Sequence, residues 1–250
     1  MISPNVKVHK LIADAGFCSR RKAEQWIREG AVRVNGKVVS IGDRALSTDR
    51  IEINGQRLSS KLAKTSTRVL VYHKPEGEVV SRDDPSHKRS VFDRLPALSA
   101  GRWIAVGRLD INTTGLLLFT NDGALANRLM HPSSGIDREY LVRVMGHVDQ
   151  TILNRLREGV LIDQHMARFT DIVEAPNKTN DASINRWFYV CLSEGRNREV
   201  RKLWESQGLR VNRLKRVRFG PMFLPARIRQ GHWEELTAKD IKALESSIQA

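Results

Sequence analysis

The chain is short of acid. Its 250 residues hold 28 Asp and Glu against 42 Lys and Arg, a formal net charge of +14. A surface with that excess attracts polyanions, and binding releases counterions where the partner is RNA or DNA. Cysteine is scarcer still. Cys18 and Cys191 lie far apart in sequence, which excludes a disulfide framework and zinc-ligand spacing and fits reduced thiols in a cytoplasmic protein. Seven histidines are scattered, and no pair has metal-ligand spacing. No apolar run approaches the ~18 residues of a membrane span. The start, Met1-Ile2-Ser3-Pro4-Asn5-Val6-Lys7, has no apolar core of a signal peptide. There is no internal repeat and no low-complexity tail.

A further absence concerns one loop. Gly107-Arg108-Leu109-Asp110 precedes Thr113-Thr114-Gly115-Leu116-Leu117-Leu118-Phe119, so one carboxylate sits between two apolar, strand-like runs. No His, Cys or second acid flanks Asp110 within the loop. Chemistry there must run on a single carboxylate, which excludes most hydrolase and metal mechanisms.

Residues 1–60 read as a small unit. Val8, Leu11, Ile12 and Ala15 recur at helical spacing, with Gly16 as a stop. Ser19 is an N-cap for a second helix with Ala23, Trp26 and Ile27 on one face and Gly30 closing it. Asn35-Gly36 and Asn54-Gly55 are hairpin turns between short strands. Residues 61–67 are small and polar and read as a linker. A second domain, 68–250, mixes strands (69–72, 103–106, 116–120, 139–145, 187–192) with helices (123–130, 149–157, 197–206, 238–248). The expected class is α+β.

The charge is clustered. Residues 1–64 carry 13 basic and 6 acidic side chains, a net of +7. Arg20, Arg21 and Lys22 occupy the first turn of the second helix, where cations oppose the helix dipole. An anion-favouring helix start with three cations added makes a phosphate site, although solvated charge is the usual fate of such runs. Residues 194–229 carry 11 basic and 3 acidic side chains, a net of +8. In the helix expected there, Val200, Leu203 and Trp204 form an apolar stripe. Arg201 projects about 100° from Val200, on the stripe's margin. A cation so placed needs an anion if it is buried, and Asp110 is the candidate. A snorkelling arginine is the alternative.

Two resemblances extend this reading. Ala15-Gly16-Phe17-Cys18-Ser19-Arg20-Arg21-Lys22-Ala23-Glu24, then Ile27, Gly30, Val32, Val34 and Asn35-Gly36-Lys37, resembles the S4 RNA-binding domain. It implies that Arg20, Arg21, Lys22 and Arg28 contact RNA. The larger domain resembles the pseudouridine synthases, in the branch that carries an N-terminal S4 domain and acts on ribosomal RNA. The matching pieces are Lys74-Pro75-Glu76-Gly77, Gly107-Arg108-Leu109-Asp110, Thr114-Gly115-Leu116-Leu117, Thr120-Asn121-Asp122-Gly123, Arg138-Glu139-Tyr140, and Glu194-Gly195-Arg196-Asn197-Arg198-Glu199-Val200-Arg201. Val91-Phe92-Asp93-Arg94-Leu95-Pro96 and Gly101-Arg102-Trp103 look like the subgroup that modifies large-subunit (23S) RNA, which places the target near the peptidyl-transferase region.

The resemblance implies a large, mixed, mainly antiparallel sheet with flanking helices, and an isomerisation of uridine to pseudouridine that uses no cofactor and no metal. Asp110 would start the reaction, Arg201 would keep it ionised, and Tyr140 would stack on the base and assist at C5. Arg108 would contact phosphate or splay the RNA, with Arg196 and Arg198 as further RNA contacts. The expected partner is large-subunit ribosomal RNA or its assembly particle, met by a monomer with no membrane association. Two alternatives stay open: the same reaction on small-subunit RNA, and a non-catalytic S4-type RNA-binding or ribosome-assembly protein.

Overall fold

The computed structural model describes residues 5–58, 66–82, 84–86, 89–176 and 185–248. Most of the expected linker (residues 61–65) and His87 lie outside the described residues. The chain divides into two units. The first holds residues 1–67 with two returns, 96–104 and 121–123; the second holds 68–95, 105–120 and 124–250.

In the first unit, β1 (Val6–Lys7) leads into α1 (Val8–Asp14), and α2 (Arg20–Arg28) follows. The Ser19 side chain accepts from the Lys22 N–H at 3.2 Å, the N-cap expected of it. β2 (Val32–Val34), β3 (Lys37–Val38), β4 (Arg44–Ala45), β5 (Ile51–Ile53) and β6 (Gln56–Arg57) complete it. Four of them form a sheet in the order β3-β2-β5-β6. Both Asn-Gly turns have positive φ at both residues, the type I′ geometry that matches strand twist. Val8, Leu11, Ile12, Ala23, Ile27, Val32 and Ile51 form the core. The return at 96–104 has a steric reason to belong here. A Cβ on Gly16 would lie 2.4 Å from the Gly101 Cα, so two glycine backbones meet where no side chain fits.

The second unit is built on one sheet. Its strands are β7 (Val69–Lys74), β8 (Ile104–Val106), β9 (Thr114–Thr120), β10 (Arg138–Met145), β13 (Asp171–Glu174), β14 (Asn185–Leu192), β15 (Arg210–Phe219), β16 (Met222–Phe223) and β17 (Trp233–Glu235). β11 (Val160–Ile162) and β12 (His165–Ala167) form a separate hairpin. The helices are α3 (Gly123–Met130), α4 (Gln150–Glu158), α5 (Glu199–Glu205) and α6 (Ala238–Ser246). The main path runs β13-β14-β10-β15-β9-β7-β17, with β8 on β9 and β16 on β15. One junction in that path is parallel: β15 meets β9 through only Lys215↔Thr114 and Arg216↔Gly115. That junction joins an antiparallel half carrying Tyr140 to one carrying the Asp110 loop. The architecture is the α+β class with the mixed, mainly antiparallel sheet expected. The helix expected over 197–206 is shorter, because Arg198 sits at φ 53°, left-handed, and the helix begins at Glu199.

Candidate active site

Side chains from both halves of the sheet converge on a cleft of about 730 Å³ in the second unit, within the range of small-molecule sites. Asp110, Tyr140, Arg138, Arg216, Glu199 and Arg108 all line it. Asp110 is half-buried and Tyr140 is 8 % exposed.

The Asp110 loop is held by its backbone. Lys74, fully buried at the end of β7, donates from Nζ to the Thr113 carbonyl at 2.9 Å and the Ile111 carbonyl at 3.4 Å, and to its neighbour Pro75 at 2.9 Å. Arg201 donates from Nη2 to the Asn112 carbonyl at 3.0 Å and from Nη1 to the Val211 carbonyl at 2.9 Å. The three carbonyls that follow Asp110 are therefore each gripped by a buried cation, and charge-assisted bonds of this kind are the strong ones. The Gly77 N–H adds a bond to the Ile111 carbonyl at 2.8 Å.

This corrects one expectation. Arg201 is buried on the helix margin, 5 % exposed, but it makes no ion pair with Asp110; none within 4.0 Å joins them among the described residues. Its anion is supplied by backbone carbonyl dipoles. Burial pushes its guanidinium pKa down, helped by Arg198, while the Asp110 charge opposes the shift from further off. Arg201 meets the loop that presents the carboxylate at its backbone, through the Asn112 carbonyl.

Tyr140 stands directly across the ladder from Arg216. Arg216 is 2 % exposed and donates from Nε to the Leu116 carbonyl at 2.7 Å, while its Nη2 has no partner. Burial lowers its pKa, and the neighbouring Tyr140 hydroxyl opposes that. Arg138 is held by the Ile136 and Ser193 carbonyls at 2.8 and 2.6 Å. Both guanidinium groups lie 5.3 Å from the Phe219 ring centroid. The cleft thus has a dry cationic wall beside its tyrosine.

Lys74, Arg216 and Glu199 went unassigned in the sequence. Glu199, absent from the loop yet present in the cleft, is 6 % exposed and accepts from the Arg196 N–H at 3.0 Å. Burial raises its carboxyl pKa. Lys74 and Glu199 lie inside the quoted motifs, and an apolar strand ending in a lysine was the available signal for the first. Of the expected RNA contacts, Arg108, Arg196 and Arg198 are exposed at this cleft. Arg196 pairs with Glu194, and Arg198 with Glu205 at 3.7 Å. Arg20, Arg21, Lys22 and Arg28 are exposed on α2 of the first unit, where Arg28 meets Glu24 at 3.9 Å. α3 stops at Met130, and the imidazole of the next residue, His131, accepts from the Ser133 N–H at 3.3 Å.

Among the described residues, no three His, Cys, Asp or Glu side chains group to hold a metal, and no helix is long and apolar enough to cross a membrane.

Residues 68–206 match the model of the RNA pseudouridylate synthase family, and residues 6–51 match that of the S4 domain. The ribosomal large subunit pseudouridine synthase B of Pseudomonas aeruginosa is 53 % identical over 97 % of this chain and 62 % of its own length. The protein of the same name from Vibrio cholerae is 51 % identical over 97 % of this chain and 75 % of its own length. The chain therefore spans between about three fifths and three quarters of these relatives. A crystal structure of a pseudouridylate synthase superposes with a TM-score of 0.66 at 26 % identity, covering 96 % of this chain and 99 % of that one. With an S4 domain ahead of a synthase domain that takes in more than half of its length, this chain belongs to the RNA pseudouridylate synthase family.

Proposed function

We propose that the protein isomerises a uridine of large-subunit ribosomal RNA to pseudouridine, and that Asp110 starts the reaction. One observation carries the reading. A half-buried carboxylate sits on a loop clamped by two buried cations and opens on a cleft walled by Tyr140.

The reaction breaks the N1–C1′ bond and joins C5 to C1′. The proton lost at C5 is balanced by one gained at N1, so no electrons change hands and no cofactor is required. Attack of the carboxylate at C1′ and removal of a ribose proton both need an ionised Asp110 at a fixed position, which the clamp supplies. Tyr140 offers a flat ring for the detached base and a hydroxyl for the proton at C5. Arg201 positions the carboxylate through Asn112. The target must leave its stack, at a cost of a few kcal/mol. Arg108, Arg196 and Arg198 at the cleft supply binding energy for this, as do Arg20, Arg21, Lys22 and Arg28 in an RNA-binding domain over residues 1–60. Residues 61–67 link that domain to a catalytic one over 68–250, in a cytoplasmic monomer.

The test is genetic. In a deletion strain, pseudouridine mapped across both ribosomal RNAs should vanish at one large-subunit site and return only with the wild-type gene. A lost small-subunit site would overturn the substrate, and an unchanged map would overturn the activity.

The loop clamp gives the activity a pH limit. Burial pushes Lys74 down from 10.5 to about 8, against the opposing charges of Glu78, Asp110 and Glu76. The ammonium has three donors for its three carbonyls, and the neutral amine has only two. Turnover should therefore fall as pH rises through about 8. Stability moves the other way. Between about 8 and 10.5 the unfolded chain keeps this proton and the fold has lost it, so this group's contribution to the unfolding free energy rises with pH. Turnover and Tm measured on the same samples should diverge. An alkaline limb that follows Tm downward would remove Lys74 as its source.

A further inference from the structure

The sheet of the second unit has a second face, and its cations are unaccounted for. On β10, Tyr140, Val142 and Val144 are buried and point to the cleft and core, while Leu141, Arg143 and Met145 alternate onto the opposite face. The ladder aligns Arg143 with Trp187 on β14 and with Arg213 on β15. The next row aligns Leu141 with Tyr189 and Lys215, and the row at the strand's end brings in Arg210. Arg210, Arg213 and Tyr189 are exposed, while Arg143, Lys215 and Trp187 are half-buried.

Elsewhere in this unit several arginines are matched with an acid: Arg94 with Glu78, Arg128 with Glu245, Arg186 with Glu174, Arg227 with Glu234. On this face the acids collect at the far end, where Glu139 accepts from Arg218 at 2.8 Å and Asp171 stands opposite Cys191. Arg143, Arg210, Arg213 and Lys215 form no ion pair within 4.0 Å among the described residues. Four unmatched cations on adjacent strands, with an aromatic side chain in two of their three rows, repel one another unless an anion covers them. A fold stabilised only by its own contacts gains nothing from that arrangement. Phosphates relieve the repulsion, and tyrosine and tryptophan rings give unpaired bases a stacking surface.

We propose that this face binds a single-stranded stretch of the RNA substrate outside the cleft, with Arg143, Arg210, Arg213 and Lys215 on its phosphates and Tyr189 and Trp187 against its bases. The proposal rests on the reading of the chain as an RNA-modifying enzyme. It makes the sheet two-sided: one face reacts with a uridine, and the other holds flanking RNA.

The test uses the full chain and two RNAs: a stem-loop containing the target uridine, and the same stem-loop with a single-stranded extension of about 16 nucleotides, the upper site size of a single-strand groove. The variant is Arg143→Gln with Arg213→Gln and Lys215→Gln. Its salt slope for the extended RNA should fall by about 2, at about 0.7 per lost phosphate contact on a single strand. Affinity for that RNA should drop about tenfold or more, while kcat on the short stem-loop stays at the wild-type value. Because two of these side chains are half-buried, Arg213→Gln with Tyr189→Ala, both exposed, is measured alongside and decides the matter if the triple variant misfolds. An unchanged salt slope, or equal loss on both RNAs, would overturn the second face. That outcome is distinct from failure of the activity itself, in which the wild-type chain would isomerise neither RNA.

Discussion

Asp110→Asn should abolish isomerisation, lowering the single-turnover rate by at least about 10⁴-fold, while RNA binding persists or tightens. The amide keeps the shape of the carboxylate but can neither attack C1′ as an anion nor accept a ribose proton. Loss of a reacting group of this kind removes about 5.4 kcal/mol or more of transition-state stabilisation. The fold should be indifferent. Asp110 makes no ion pair within 4.0 Å among the described residues, so its replacement orphans no buried cation. The bond from the Thr113 N–H goes to its backbone carbonyl and survives. The clamp from Lys74 and Arg201 likewise grips carbonyls further along the loop. Removing a negative charge from a cleft rich in arginine should, if anything, strengthen attraction for phosphate. Rate, Kd and Tm measured together separate these effects. Activity within 100-fold of wild type would take the role from Asp110, and a Tm loss of several degrees would show that the carboxylate is structural.

The parts legible in the sequence were those set by local rules. Ser19 as a cap, the Ala23 and Ile27 stripe of α2, and the two Asn-Gly turns each follow from nearest-neighbour geometry, and the structure has them where the pattern puts them. The position of Arg201 at a buried helix margin was legible for the same reason. Its partner was not, because the acceptors are the carbonyls of Asn112 and Val211. Every residue has a carbonyl, so no residue type marks one as an anion's substitute. β15 was hidden differently. Its run from Arg210 to Phe219 reads as a charge cluster, and its period of two is broken where the ladder shifts between Arg143 and Val144. Arg216 falls on the buried face of that strand, so an arginine that looks solvated in sequence is part of the cleft wall. Glu199 was legible as a residue of a motif, but its burial depends on a helix that starts two residues later than its pattern suggested.

Gly115→Ala should be the most destabilising single substitution of the second unit, and its cause is topological. The sheet is two antiparallel halves joined at one parallel seam of two residue pairs, and Gly115 is in one of them. A Cβ there would stand 2.2 Å from the Arg216 carbonyl oxygen and 2.6 Å from its nitrogen, at a φ of +108°. Neither atom can move aside, because both belong to the backbone of the facing strand. The methyl group must open the seam, which also pulls the Arg216 side chain from the Leu116 carbonyl it holds at 2.7 Å. Large losses come from steric and backbone conflicts of this kind, and more than about 4 kcal/mol is expected. For a unit of this size that is a fall in Tm of about 10 °C. Activity should suffer even in protein kept folded in the cold, because the seam sets how far the Asp110 loop stands from Tyr140. A displacement of about 1 Å is enough to lose about 10²-fold in rate. Gly107→Ala is the control: its φ is +79°, but nothing lies within 4 Å of the added Cβ. It should pay only the left-handed backbone term of about 1–2 kcal/mol. If the two alanines destabilised the chain equally, the seam would not be what holds the halves in register. A far larger loss at Gly115 would identify two backbone pairs as the element that brings carboxylate and tyrosine to one cleft.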